Sequence, residues 1–187
     1  MEPETNFIQT EEPKIVYGTF GLRLVAVLID GLILVPFILL ENFYNSPHLK
    51  SETLLTLIFI LTLTYKPLTE YYFDATVGKM VLKLKVVNLQ LNKPTLTEVL
   101  LRNIFHIIPI IIGFSVAFYL FAQPEFNGIT TFKEYSVLQR QYLNLTYQIV
   151  SFALILTDTI FLLADTKRRA LHDRIGQTFI IRKTNAS

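Results

Sequence analysis

Residues 17–40 read YGTFGLRLVAVLIDGLILVPFILL, an apolar run that nonetheless carries Arg23 and Asp30. The hydrocarbon core of a bilayer is about 30 Å thick, and about twenty residues of helix cross it. An ionisable side chain at that depth costs about 3 kcal/mol on insertion scales, so it faces a protein partner or a water-filled cavity rather than lipid. Arg23 and Asp30 stand seven residues apart. On a helix they share one face, two turns and about 10 Å apart along the axis. Both therefore point into a protein interior.

The whole chain agrees with a bilayer setting. Its 187 residues are 51% hydrophobic and only 17% charged, and the mean hydropathy is +0.43. The apolar residues gather in four blocks of membrane-spanning length, about 19–40, 53–73, 96–121 and 147–164. The expected fold is an all-α membrane protein, a four-transmembrane-helix bundle with short cytoplasmic β-like segments. Residues 1–16 are acidic and lack the basic start and small-residue cleavage site of a signal peptide, so they read as a mobile tail. Residues 17–183 form the membrane domain and 184–187 a second tail. The absence of cysteine excludes disulfides and thiolate chemistry. Three histidines without cysteine argue against a metal site, and no cofactor is expected. No nucleotide-binding loop, serine elbow or HExxH is present, which argues against an enzyme. A net charge of +2 is too small to imply nucleic acid.

Between the blocks the reading is more varied. The polar stretch 41–52 reads as a turn. The second block is strongly apolar only from Leu54 to Tyr65, so to span it must run on through Lys66, Pro67 and Glu70. Val81 to Asn88 reads as a strand, with Lys83 and Lys85 on one face, or alternatively as an amphipathic helix on the membrane surface. Thr95 with Glu98 three residues on fits a capping box. Glu98, Arg102 and His106, at four-residue spacing, form one stripe of the third helix. The segment FKEYSVLQRQYL at 132–143 reads as an amphipathic helix, and Thr178 to Arg182 as a second strand able to pair with the first.

Lysines and arginines set the orientation. With four spans, the side holding both termini carries thirteen of them and the opposite side three, with Lys66 inside the second helix. By the positive-inside rule the termini are cytoplasmic. Glu70, Arg102, His106 and Asp158 then converge with Arg23 on the cytoplasmic half, while Asp30 falls near the midplane. Arg23 either snorkels to headgroups or pairs with Glu70, Asp158 or Asp165. Asp30 cannot snorkel far, so it is either protonated, bonded across helices or open to a hydrated cavity. His172 beside Asp173 hints at metal or acid-base chemistry.

Three pieces of the chain, in order, resemble the RDD family of small membrane proteins. They are GlyThrPheGlyLeuArg at 18–23 continuing to LeuIleAsp at 28–30, ThrValGlyLys at 76–79 followed by LeuLysValVal at 84–87, and LeuHisAspArgIleGly at 171–176 with Thr178. The resemblance implies that Arg23, Asp30 and either Asp173 or Asp165 are the arginine and two aspartates of the family name. It marks Thr76, Gly78, Lys79, His172 and Thr178 as motif residues. One departure is Lys83, where the family pattern has glycine. The family is described as a possible transporter of unknown ligands. Some members look like sodium/proton antiporters and others act as membrane partners in protein quality control.

The expected function is binding or transport of a cation or proton, Na⁺, K⁺, Li⁺ or H⁺, in an inner or plasma membrane. The candidate ion-binding residues are Arg23, Asp30, Asp158 and Glu70. So narrow a bundle calls for a homo-oligomer with the lipid bilayer as its other partner. The alternative is a non-transporting scaffold or assembly factor that docks a partner through residues 76–94 and the C-terminal tail.

Overall fold

The computed structural model describes residues 15–143 and 145–182. Most of the expected acidic tail and all of the expected tail at 184–187 lie outside these residues. Helix α1 spans Phe20–Leu39, and its first turn is capped by the Thr19 hydroxyl, which accepts from the Leu22 amide. The chain does not turn at residue 41. It winds on as a π-helix over Leu40–Leu49 and stops only at Lys50, which adopts a left-handed conformation with φ 51°. The polarity of 41–52 suggested a turn. Glu41, Asn45 and Ser46 are instead satisfied by one another within the helix and are buried.

Ser51 caps α2, which runs unbroken through Pro67 over Glu52–Phe73. A short helix, α3 (Val77–Val81), occupies the start of the expected strand, so β1 is shortened to Leu84–Asn88. Lys83 makes the turn between them with φ 57°. This explains the glycine of the family pattern: the position needs a left-handed backbone, which glycine adopts without steric cost. The third expected helix is also divided, into α4 (Leu96–Arg102) and α5 (Ile104–Phe121). The break is at Asn103, whose side-chain amide donates to the Val99 carbonyl and to Glu70. The expected stripe of Glu98, Arg102 and His106 is broken there. The Thr95–Glu98 capping box is formed as expected.

Helix α6 (Phe132–Tyr142), with its own Thr131–Glu134 capping box, follows the loop after α5. Helix α7 covers Leu145–Ala164, α8 covers Leu171–Ile175 and β2 covers Thr178–Arg182. Strands β1 and β2 pair antiparallel, with Val86 opposite Ile180 and Asn88 opposite Thr178. The start of α1 is tied to the other edge of β2: the Gly18 amide donates to the Ile180 carbonyl and the Arg182 amide to the Val16 carbonyl, both at 2.8 Å. Ala26, Leu84, Val86 and Ile180 form a small core beneath this sheet, and Leu120, Phe126, Ile129 and Tyr135 form another at the far end of α5.

Three helical stretches among the described residues are long and apolar enough to cross a membrane: Phe20–Leu49, Ile104–Phe121 and Tyr147–Ala164. Their mean hydropathies are 2.5, 2.3 and 1.8, yet at most 11% of each is buried. Leu32, Phe152 and Ile155 are each about two-thirds exposed or more. Apolar surface this extensive is incompatible with water and suits lipid. By composition α2, which carries Lys66 and Glu70, falls outside this set.

Candidate functional site

The polar residues of α1 are anchored by segments that fold back onto the bundle. Arg23, 7% exposed, donates to a carboxylate oxygen of Asp173 and to the carbonyls of Arg168 and, at 3.1 Å, Gly18. Its partner is thus none of Glu70, Asp158 and Asp165, because α8 brings Asp173 to the foot of α1. Asp173 is fully buried and also receives Arg102 Nη2 at 2.9 Å. Its other anchors are local: it accepts from the Ala170 amide, and the Thr178 hydroxyl donates to its backbone carbonyl.

Arg102 Nε lies 3.3 Å from Glu70, which is also held by the Lys79 ammonium and, at 2.8 Å, by Asn103 Nδ2. One ionic chain therefore links α1, α2, α3, α4 and α8. Burial alone would raise the Asp173 carboxyl, but His172, Arg23 and Arg102 outweigh it and hold the group well below the usual carboxylate range. Burial pushes the Lys79 ammonium down to about 8; Glu70 opposes the shift, while Arg102 and Lys66 add to it.

Asp30 meets a different set of donors. Its Oδ1 accepts from the Tyr65 hydroxyl and the Gly78 amide, both at 2.8 Å, and its Oδ2 from the Thr76 hydroxyl at 2.6 Å. Gly78 permits this: a Cβ there would stand 2.1 Å from the Ala26 carbonyl oxygen. Without a side chain, α3 packs directly on α1 and presents its first turn to Asp30.

Asp158 accepts from the His172 amide at 2.9 Å and lies 2.8 Å from His172 Nδ1. Asp165 is engaged by Arg169 and Arg174.

Beside these contacts lies a cavity of about 250 Å³, lined by Arg23, Asp30, Tyr65, Lys66, Lys79, His106 and His172 together with apolar residues. Two of its groups stand apart from the ionic chain. The Lys66 ammonium makes no hydrogen bond or ion pair among the described residues, and buried His106 Nε2 has no partner. Glu70 and Asp158 are not in the lining; they reach it only through Lys79 and His172. The sequence marked Arg102, Lys66 and His106 as unusual, but gave no sign that Tyr65 and Asn103 serve Asp30 and Glu70, because these bonds join residues more than thirty positions apart.

The RDD family model matches residues 17–177. The chain belongs to the RDD family. No curated protein and no solved structure matches it. With its exposed apolar helices, this RDD protein is an integral membrane protein. Of the two aspartates that the family name left open, Asp173 is the one that meets Arg23.

Proposed function

We propose that this RDD protein crosses the inner or plasma membrane four times, with its termini cytoplasmic, and that it binds and moves a cation or proton through the cavity beside Asp30. The four-span reading rests on parity. Tyr17 bridges Ile181 of β2, and β2 pairs with β1, so the start of α1 and both strands lie on one face of the membrane. If α1 crosses, α2 must return, despite Lys66 and Glu70. The charge bias of the sequence makes that face cytoplasmic.

The observation that carries the transport reading is the cavity itself. Ionisable groups within membrane helices that converge on a cavity mark ion and proton pathways. Asp30 borders this one, and its two oxygens offer about four lone-pair positions, of which three are taken. The free position on Oδ2 is where a cation or proton binds. Arg23 sets the local field, and a second copy of the chain completes the walls of so narrow a bundle.

The test is proton flux in proteoliposomes with a pH-sensitive dye during pulses of Na⁺, K⁺ or Li⁺. A cation-dependent signal that Asp30→Asn abolishes supports exchange at Asp30. Silence from folded, oriented protein sinks it. The second reading, a membrane scaffold, is favoured by the pairing of Arg23 with Asp173 and of Glu70 with Lys79 and Arg102. It predicts silence here and capture of a partner through residues 76–94.

A further inference from the structure

The opposite half of the bundle holds a second cavity, of about 170 Å³, bordered by Glu41, Thr62, Gly113, Ala117, Tyr135 and Gln139 among others. Glu41 is the one charged side chain in its lining, and it is 7% exposed. No lysine or arginine pairs with it among the described residues; Lys50, the nearest cation in sequence, donates to the Asn127 carbonyl instead. Its oxygens accept from Asn45 Nδ2 at 2.9 Å and Ser46 Oγ at 3.0 Å. These donors come from the π-helical segment, a conformation that often marks functional sites. From the other elements, α2 presents apolar Leu55 and Ile58, α5 presents Ala117, and α6 presents Gln139 and Tyr135, the one titratable neighbour.

The two cavities adjoin along α1, α2 and α5, where Leu34 and Ile38, Lys66 and Thr62, and His106 and Ile110 stand one turn apart. Thr62 borders the outer cavity, and the ring of His106, which borders the inner one, sits against the Thr62 backbone. A cavity of the outer one's size holds several waters at about 30 Å³ each. Asp30 and Glu41 are eleven residues apart on one continuous helix, about 16 Å at 1.5 Å per residue.

We propose that Glu41 is the outer proton acceptor of a path that crosses the bundle from its cavity, past the Thr62–His106 contact, to the cavity at Asp30. The proposal rests on the transport reading above. A proton from outer water joins a Glu41 carboxylate oxygen and leaves it to cavity water. It is next received on the lone pair of His106 Nε2 and then released to the inner cavity. Only O–H and N–H bonds form and break, and no redox partner is needed.

Two measurements on the full-length protein test this. Dicyclohexylcarbodiimide reacts with protonated carboxyls in apolar surroundings, and mass spectrometry locates the adduct. The expected result is an adduct at Glu41 that grows as the buffer is taken from alkaline to mildly acidic. In proteoliposomes, Glu41→Gln is expected to lower proton flux about 100-fold, the scale of a lost proton-transfer group, and Glu41→Asp to retain part of it. Thermal unfolding in detergent checks that both variants are folded. An active wild type with Glu41 unlabelled, or with Glu41→Gln at full flux, overturns the role of Glu41 and leaves transport standing. An inactive wild type removes the transport reading and the path with it.

Discussion

Asp173 answers two arginines, Arg23 and Arg102, with no solvent to share the load. Breaking a buried ion pair from one side leaves charges without a partner and costs about 3–5 kcal/mol. Asp173→Asn, which takes the shared carboxylate charge from both guanidinium groups, is therefore expected to lower stability by that amount in thermal unfolding in detergent. Asp165→Asn should cost less than about 1 kcal/mol, because Arg169 and Arg174 are partly exposed and remain solvated. Equal losses would remove the distinction between the two aspartates. The pH dependence has a definite sign. A carboxyl whose folded pKa is depressed contributes its full stability above the unfolded value of 3.8, and that contribution is lost as pH falls below it toward the folded pKa. An acid titration of the melting temperature should thus fall less steeply in Asp173→Asn than in the wild type. The seven-residue spacing made it legible that Arg23 and Asp30 share a buried face. It was silent on what each meets, since Asp173 is 150 positions from Arg23 and depth arguments pointed to Glu70, Asp158 or Asp165 instead.

At the scale of elements, what local chemistry encodes was readable. Capping boxes, the strand at 178–182 and the amphipathic helix at 132–142 each follow from a few adjacent residues. The divided third helix, the helical turn at 77–81 and the π-helical extension were not, because each is selected by a distant partner: Glu70 for Asn103, Asp30 for the first turn of α3, and α6 for the buried stretch after α1. Gly78 tests this dependence. Alanine there sets a Cβ 2.1 Å from the Ala26 carbonyl oxygen, so α3 must lift from α1 and the Gly78 amide must leave Asp30. A loss of about 1–3 kcal/mol is expected from overpacking, with proton flux lost as well if Asp30 carries it. Gly31→Ala, on α1 beside Asp30 with nothing within 4 Å of the new Cβ, should stay within about 1 kcal/mol of the wild type. If both variants melt together, the close approach of α3 is not what holds Asp30. Lys83→Gly is expected to gain up to about 1 kcal/mol, since the left-handed turn costs a lysine more than the entropy that glycine adds.

For the whole molecule, the four-span proposal rests on the small sheet. Three helical stretches qualify by composition, and three crossings would leave the start of α1 and β2 on opposite faces. The bridge from Tyr17 to Ile181 then could not form. An even number of crossings requires α2 to span with Lys66 and Glu70 inside it, and Lys79, Arg102 and Asn103 are the groups that make Glu70 tolerable there. The natural absence of cysteine makes this directly measurable. Single cysteines at Ile15, Gln90 and Lys133, all exposed positions, are probed with a membrane-impermeant maleimide in intact cells and after permeabilisation. Ile15→Cys and Gln90→Cys are expected to react only after permeabilisation, and Lys133→Cys before it. Agreement between the first two carries the argument, because they flank α1 and α2. If Gln90→Cys reacts in intact cells while Ile15→Cys does not, α2 fails to cross and Tyr17 cannot bridge β2. If both react and Lys133→Cys does not, the four spans hold and the charge bias has misread the orientation alone.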